Sequence, residues 1–191
     1  MKSILQSIKP QYCELIASGK KTVEVRKTRP KLDVPFKVYI YCTKGNTHLL
    51  LPTYSQGKLT DSDIWQIGNE KVIGEYVCKK IDKIVHAGTT NSNIELCFCR
   101  NGWYYTPLTA DFHRDSCLSY AELEKYSNGR DIYVWHVSNL KIYDKPKELG
   151  EFFGACKQPK GTDCSVCRDN REHTCKSLTR PPQSWCYVEE V

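Results

Sequence analysis

The 191-residue chain has no apolar run near the ~18 residues needed to span a bilayer, and its opening "MKSILQSIKPQY" lacks the apolar core of a secretory leader. Both absences point to a cytoplasmic protein that does not engage a membrane. Internal repeats and low-complexity tracts are missing, which excludes solenoid and fibrous architectures. Neither a P-loop nor a G-x-G-x-x-G stretch occurs, so no phosphate-cradling loop of the usual nucleotide enzymes is present. His86, His113 and His136 do not fall at metal-ligand spacing, and "SWC" at Ser184–Cys186 is not a nucleophile elbow.

Net charge is also modest, at +6 from 28 Lys+Arg and 22 Asp+Glu. Its placement is more informative. Six basic residues (Lys20, Lys21, Arg26, Lys27, Arg29, Lys31) and one acid, Glu24, lie between Lys20 and Lys31, so this window holds +5 and the remainder, 22 basic against 21 acidic, holds +1. A focused basic patch attracts polyanions through phosphate contacts and counterion release. The simpler alternative is a solvated basic loop.

Cysteine, by contrast, is abundant. Eleven are present, an odd number that cannot pair completely and that a reducing compartment would leave as thiols. Five lie from Cys156 onward, where "CKQPKGTDCSVCRDNREHTC" sets Cys156, Cys164, Cys167 and Cys175 in the pattern C-x7-C-x2-C-x7-C. A central C-x2-C knuckle with two flanking thiolates is the donor set of a closed, structural Zn²⁺ site. His173 could replace Cys175, and Cys186 is a further reserve. Free thiols, or a redox pair at Cys164 and Cys167, are the alternatives. Cys97 and Cys99, together with Cys13, Cys42, Cys78 and Cys117, read as buried thiols behaving as small hydrophobes.

Hydrophobic periodicity gives a coarse architecture. Alternation in "KSILQSI" predicts a strand over Lys2 to Ile8, and Pro10 opens a helix running to Ser18 with Tyr12, Leu15 and Ile16 as its buried stripe and Gly19 as its cap. Strands are predicted from Thr22 to Lys27, from Phe36 to Cys42, from Lys71 to His86 with Gly74 allowing a bulge or a close backbone approach, from Asn93 to Cys99, and from Ile132 to Tyr143. One or two helices fall between Pro107 and Tyr126, and Thr43 to Glu70 reads as a long polar excursion with one short hairpin. This order lacks the regular βα alternation of a parallel sheet. It predicts an α+β fold, a small mixed β-barrel with flanking helices.

Within the basic window, Gly19, Lys21, Glu24 and Arg26 spell G-x-K-x-x-E-x-R after a short helix. Strand alternation puts Thr22, Glu24 and Arg26 on one face and Val23 and Val25 on the other, so the polar face can line a pocket while the valines enter the core. A carboxylate can accept from an amino or imino group of a base while Arg26 or Lys21 reads a carbonyl or phosphate. The plainer alternative is an ion pair of Glu24 with Arg26 or Lys21 that only orders the strand. For stacking, Trp65, Trp103, Trp135, Trp185, Tyr104 and Tyr105 are available; most of them read as core, Trp135 above all, and Trp185 reads as a cleft wall.

This motif resembles the signature of the ASCH family within the PUA-like superfamily, and "SILQSIKPQYCELIASGKKTVEVRK", "VIGEYVC", "VWHVSNLKIYDKPKEL" and "TRPPQSWCYVEE" are similar to its phage-associated members. The resemblance implies a PUA-like barrel over residues 1–150; the cysteine spacing adds to it a Cys-rich, zinc-binding insert over 151–182, before a final strand over 183–191 packing back on the first part. It further implies recognition of RNA or a modified nucleoside in a cleft lined by the motif residues Lys21, Glu24 and Arg26; the charge pattern adds Lys20, Lys27 and Arg29 as phosphate contacts, and Trp185 is the candidate cleft wall. One bacterial branch hydrolyses N4-acetylcytidine with the motif lysine, a threonine three residues later and a helical glutamate. Lys21 matches the lysine, Glu24 stands where the threonine would be, and Glu122 or Glu124 falls in an expected helix. An amidohydrolase acting on an acylated nucleoside, with Lys21 and Glu24 as its acid–base pair, is therefore one alternative. A zinc-stabilised protein adaptor is another.

Overall fold

A computed structural model describes residues 2–52, 65–88, 94–155 and 177–190. The four cysteines proposed as metal ligands, Cys156, Cys164, Cys167 and Cys175, and the alternative His173 lie outside these residues. Among the described residues no helix is long and apolar enough to cross a membrane.

The described chain is mostly strand, with three α-helices. In order it runs β1 (Lys2–Ile8), α1 (Pro10–Ala17), β2 (Val23–Arg26), β3 (Phe36–Cys42), β4 (Leu50–Pro52), β5 (Trp65–Ile67), β6 (Lys71–Gly88), β7 (Ile94–Arg100), β8 (Tyr104–Pro107), α2 (Ala110–Ser116), α3 (Tyr120–Ser127), β9 (Ile132–Glu148) and β10 (Trp185–Glu189). Most of these match the sequence expectations to within a few residues. Strand β8 is not among the expected elements, and β4 with β5 forms the expected hairpin of the polar excursion.

Two compact units divide the chain. One comprises Met1–Glu14, Lys37–Tyr76 and Leu140–Val191; the other comprises Leu15–Phe36 and Val77–Asn139. The long strands β6 and β9 contribute residues to both.

In the first unit β1 lies between β10, antiparallel with Leu5 opposite Cys186, and β3, parallel with Ile4 opposite Val38. Alternation predicts one buried and one open face for β1. Instead every residue from Ser3 to Ile8 is buried, because the strand is flanked on both edges and covered on both faces. Gln6 tolerates complete burial by accepting a 3.0 Å hydrogen bond from the Tyr76 hydroxyl. Leu5, Tyr39, Tyr41, Val72, Phe152 and Val188 form the core of this unit. At Gly74 of β6 a Cβ would collide with the Lys141 carbonyl, so the close backbone approach predicted there is real.

In the second unit α2 and α3 are well-delimited helices. Thr109 and Ser119 are their N-caps, and Ser119 forms a capping box with Glu122. Cys117 and Asn128 end them in left-handed conformations, at φ of 52° and 49°. The helices bury Phe112 and Leu123 against Val23 and Val25 of β2, Ile84, Leu96, Ile132 and Val134.

Hydrogen-bonded neighbours run β10-β1-β3-β6-β7-β8, with β9 beside β6 and β2 beside β9. The expected closed barrel is therefore corrected: among the described residues this sheet keeps free edges. Strand β8 shows why, being short, largely exposed and ended by Pro107, which has no N–H to donate to a further ladder. In α1 the buried stripe also differs from expectation. Cys13 and Ile16 are fully buried, whereas Tyr12 and Leu15 are half-buried.

Candidate nucleic-acid interface

The site is built on β2. Val23 and Val25 enter the hydrophobic core, as alternation requires, and Glu24 and Arg26 occupy the opposite face. That face is also buried: Lys21, Glu24 and Arg26 are 2%, 6% and 7% exposed. The entry to the strand is pinned by backbone hydrogen bonds, with the Lys21 N–H donating to Leu15, the Thr22 N–H to Asp115, and the Val137 N–H to Thr22.

Three charges converge. Nζ of Lys21 lies 3.3 Å from Oε2 of Glu24, and Nη2 of Arg26 lies 3.1 Å from Oε1 of the same carboxylate. Nζ also donates a 2.6 Å hydrogen bond to the Ser116 carbonyl. Ser116 ends α2, so Lys21 places an ammonium on a carbonyl that the helix leaves unpaired and at the negative pole of its dipole. Two cations thus face one carboxylate out of bulk water. Although Oε2 of Glu24 is buried, it accepts no hydrogen bond among the described residues.

Aromatic rings border this cluster. Pairing of β2 with β9 puts Trp135 opposite Glu24 and Tyr133 opposite Arg26 on the same face. Trp135 is fully buried and meets Phe36 edge-on at 5.6 Å, so its reading as a core residue holds. From α3 comes Tyr126, under Lys27, whose Nζ sits 5.1 Å from the ring centroid. Burial pushes the Tyr126 hydroxyl up; the Glu24 charge adds to this, while Arg26 and the Lys27 amide oppose it. Ser116, Tyr126 and Tyr133 were not singled out by sequence. Tyr133 was reachable by extending strand alternation to β9, but the pairing register that makes it a neighbour of Arg26 was not.

The basic window divides. Lys20, Lys27, Arg29 and Lys31 are exposed, whereas Lys21 and Arg26 are buried with Glu24. Lys21 is the more deeply sealed, its side chain 1% exposed, while those of Glu24 and Arg26 retain 8% and 9%. At this face Glu24 and Arg26 keep the small exposed fraction, with Lys21 behind them. Trp185 belongs to the other unit, where it lies opposite Gln6 and edge-on to Tyr187.

Glu122 is committed elsewhere. Its carboxylate accepts from the Ser119 amide at 2.8 Å and from the Ser119 hydroxyl at 2.7 Å, and these bonds hold its pKa down. Among the cysteines, Cys13, Cys42, Cys78 and Cys97 are buried as expected, and Cys99 is half-buried. Cys117 is not buried. It needs the left-handed position after α2, and there its Sγ reaches the Lys20 and Arg114 carbonyls. Among the described residues no cluster of metal-ligating side chains gathers.

A family model for the ASCH domain matches residues 7–147, a span that contains the whole cluster. The crystal structure of ASCH from Zymomonas mobilis is similar at a TM-score of 0.52 and 18% identity, covering 98% of this chain and 88% of that one. A tyrosine-to-phenylalanine mutant of the same protein gives 0.53 at 17%, covering 100% and 92%. A serine-to-alanine mutant gives 0.53 at 19%, covering 98% and 89%. At this identity the likeness speaks for the fold alone. No curated protein matches the chain.

Proposed function

The chain belongs to the ASCH domain family, a family of PUA-like, RNA-binding fold, and from that premise we propose that it recognises RNA or a modified nucleoside at the β2 face bearing Lys21, Glu24 and Arg26. One observation carries the reading: two buried cations share a single buried carboxylate. If the cluster served only to order the strand, a lone pair would do so with less desolvation, since each further buried charge is costly. The Arg26 guanidinium is complementary to an acceptor, such as a base carbonyl or a phosphate, while Oε2 of Glu24 can accept from an amino or imino group. Lys20, Lys27, Arg29 and Lys31 supply exposed charge for the phosphate backbone.

Equilibrium binding of RNA at moderate salt tests this. Arg26→Gln should weaken binding by about tenfold, the scale of one charge-assisted contact, with the fold confirmed by circular dichroism. Binding that survives Lys21→Ala combined with Arg26→Ala would remove the site from the β2 face.

Hydrolysis of an acylated nucleoside is the second reading, favoured by the 3.3 Å approach of Nζ of Lys21 to Glu24. Against it, Nζ already donates to the Ser116 carbonyl, which suits a held cation better than a neutral base. Incubation with N4-acetylcytidine decides: turnover abolished by Lys21→Ala would establish it, and absence of turnover would end it.

A further inference from the structure

We infer that the β7–β8 hairpin is a second nucleic-acid contact, one that stacks unpaired bases on Trp103, Tyr104 and Tyr105; the inference rests on the RNA reading above. The hairpin turns at Asn101 and Gly102, whose φ angles of 54° and 81° match the right-handed twist of paired strands. This tight turn projects the three consecutive aromatic residues into solvent, at 74%, 55% and 48% exposure. Their side chains make no hydrogen bond or ring contact among the described residues, so three large rings are exposed without a structural role. By comparison, Phe98 of the same hairpin packs against the core and meets Phe112 edge-on at 5.1 Å. The exposure belongs to the tip.

Charge decides what this surface fits. No acidic residue occurs between Glu95 and Asp111. Arg100, opposite Tyr104 in the ladder, is exposed and makes no ion pair among the described residues. Strand alternation sends Tyr104 to one face of the hairpin and Tyr105 to the other; exposed rings at the tip with one exposed guanidinium match the π-faces and phosphates of a single strand, and stacking of this kind tolerates any base. The turn fixes the backbone that carries the rings, and each aromatic side chain has only two torsions to order on binding. Duplex RNA offers no unstacked base and should ignore the tip.

The test uses the full chain and a labelled, unstructured oligouridylate of about 12 nucleotides, followed by fluorescence anisotropy beside a duplex of equal length. Trp103→Ala should weaken binding of the single strand by about tenfold, Trp103→Phe should restore most of it, and duplex binding should not change. A change below about twofold, an equal loss on the duplex, or no measurable binding of the single strand by the unsubstituted chain overturns the inference. If the substitution instead abolishes a dimer seen by sedimentation while RNA binding stays intact, the tip is a contact between copies and the inference fails. Arg26→Gln in the same titration separates the two readings. If only Arg26→Gln weakens binding, the hairpin fails and the β2 face stands; if only Trp103→Ala does, the reverse holds.

Discussion

Nη2 of Arg26 lies 3.1 Å from Oε1 of Glu24, and both side chains are more than nine-tenths covered. The same carboxylate faces Nζ of Lys21 at 3.3 Å, so Glu24 is the one acid between two buried cations. Removing it should hurt far more than removing either partner. Glu24→Gln takes away the carboxylate charge that both cations face and is expected to cost about 3 kcal/mol in urea unfolding. Lys21→Met leaves the Glu24–Arg26 pair intact and costs about 1 kcal/mol, chiefly the hydrogen bond to Ser116. The reverse order of costs would mean that Lys21, rather than Glu24, organises the cluster.

Gly74 makes a separate prediction, about the first unit. A Cβ there would overlap the Lys141 carbonyl and press on Ile142 at 3.1 Å, and backbone cannot yield as a side-chain tip can. Gly74→Ala should therefore destabilise by about 2 kcal/mol, although alanine ordinarily lowers unfolded-state entropy relative to glycine. A neutral or stabilising result, read from the thermal midpoint, would show that β6 and β9 can separate locally at no cost.

Asp82 should make stability sensitive to acid. Burial alone would raise its pKa, but hydrogen bonds from Nε2 of His136 at 2.8 Å and Nζ of Lys80 at 2.7 Å outweigh it, and the net shift is downward. A depressed folded-state pKa means that the contribution is complete above the ordinary value of 3.8 and is lost as pH falls through the lower folded-state value. The stability difference between the unsubstituted chain and Asp82→Asn should be widest at neutral pH and shrink below about pH 4. A gap that stays constant into acid would assign the effect of the substitution to packing instead of charge.

What the sequence disclosed followed from local pattern. The alternation of Val23 and Val25 with Glu24 and Arg26 correctly separated the core face of β2 from its polar face, and Pro10 and Gly19 bounded α1 closely. Burial of the polar face was not legible, because it depends on β9 placing Tyr133 and Trp135 beside Arg26 and Glu24, a register set by contacts more than a hundred positions apart. Ser116 is a similar case: its side chain is irrelevant to Lys21, which reads only its carbonyl, and a carbonyl leaves no trace in residue identity. Strand β8, by contrast, was missed although its signal lay in the sequence. Asn101-Gly102 is a strong hairpin signal, and Tyr104-Tyr105-Thr106 suits a strand.

The cysteine-rich tail supplies the last prediction. Cys156, Cys164, Cys167 and Cys175 as thiolates on one Zn²⁺ would leave a charge of −2, which Lys157, Lys160, Arg168, Arg171 and Lys176 partly offset. Elemental analysis of the full chain should return about one zinc per chain, and Cys164→Ser with Cys167→Ser should remove it. Among candidates for the fourth ligand, Cys186 is the weakest. It sits in β10 opposite Leu5, packed against the core of the first unit, and burial pushes its thiol up to about 11. A metal ligand must be a thiolate, so a site that raises the thiol pKa opposes ligation. Cys186→Ser should accordingly leave the zinc content unchanged while Cys175→Ser lowers it; zinc lost with Cys186→Ser and retained with Cys175→Ser would move the fourth ligand into β10.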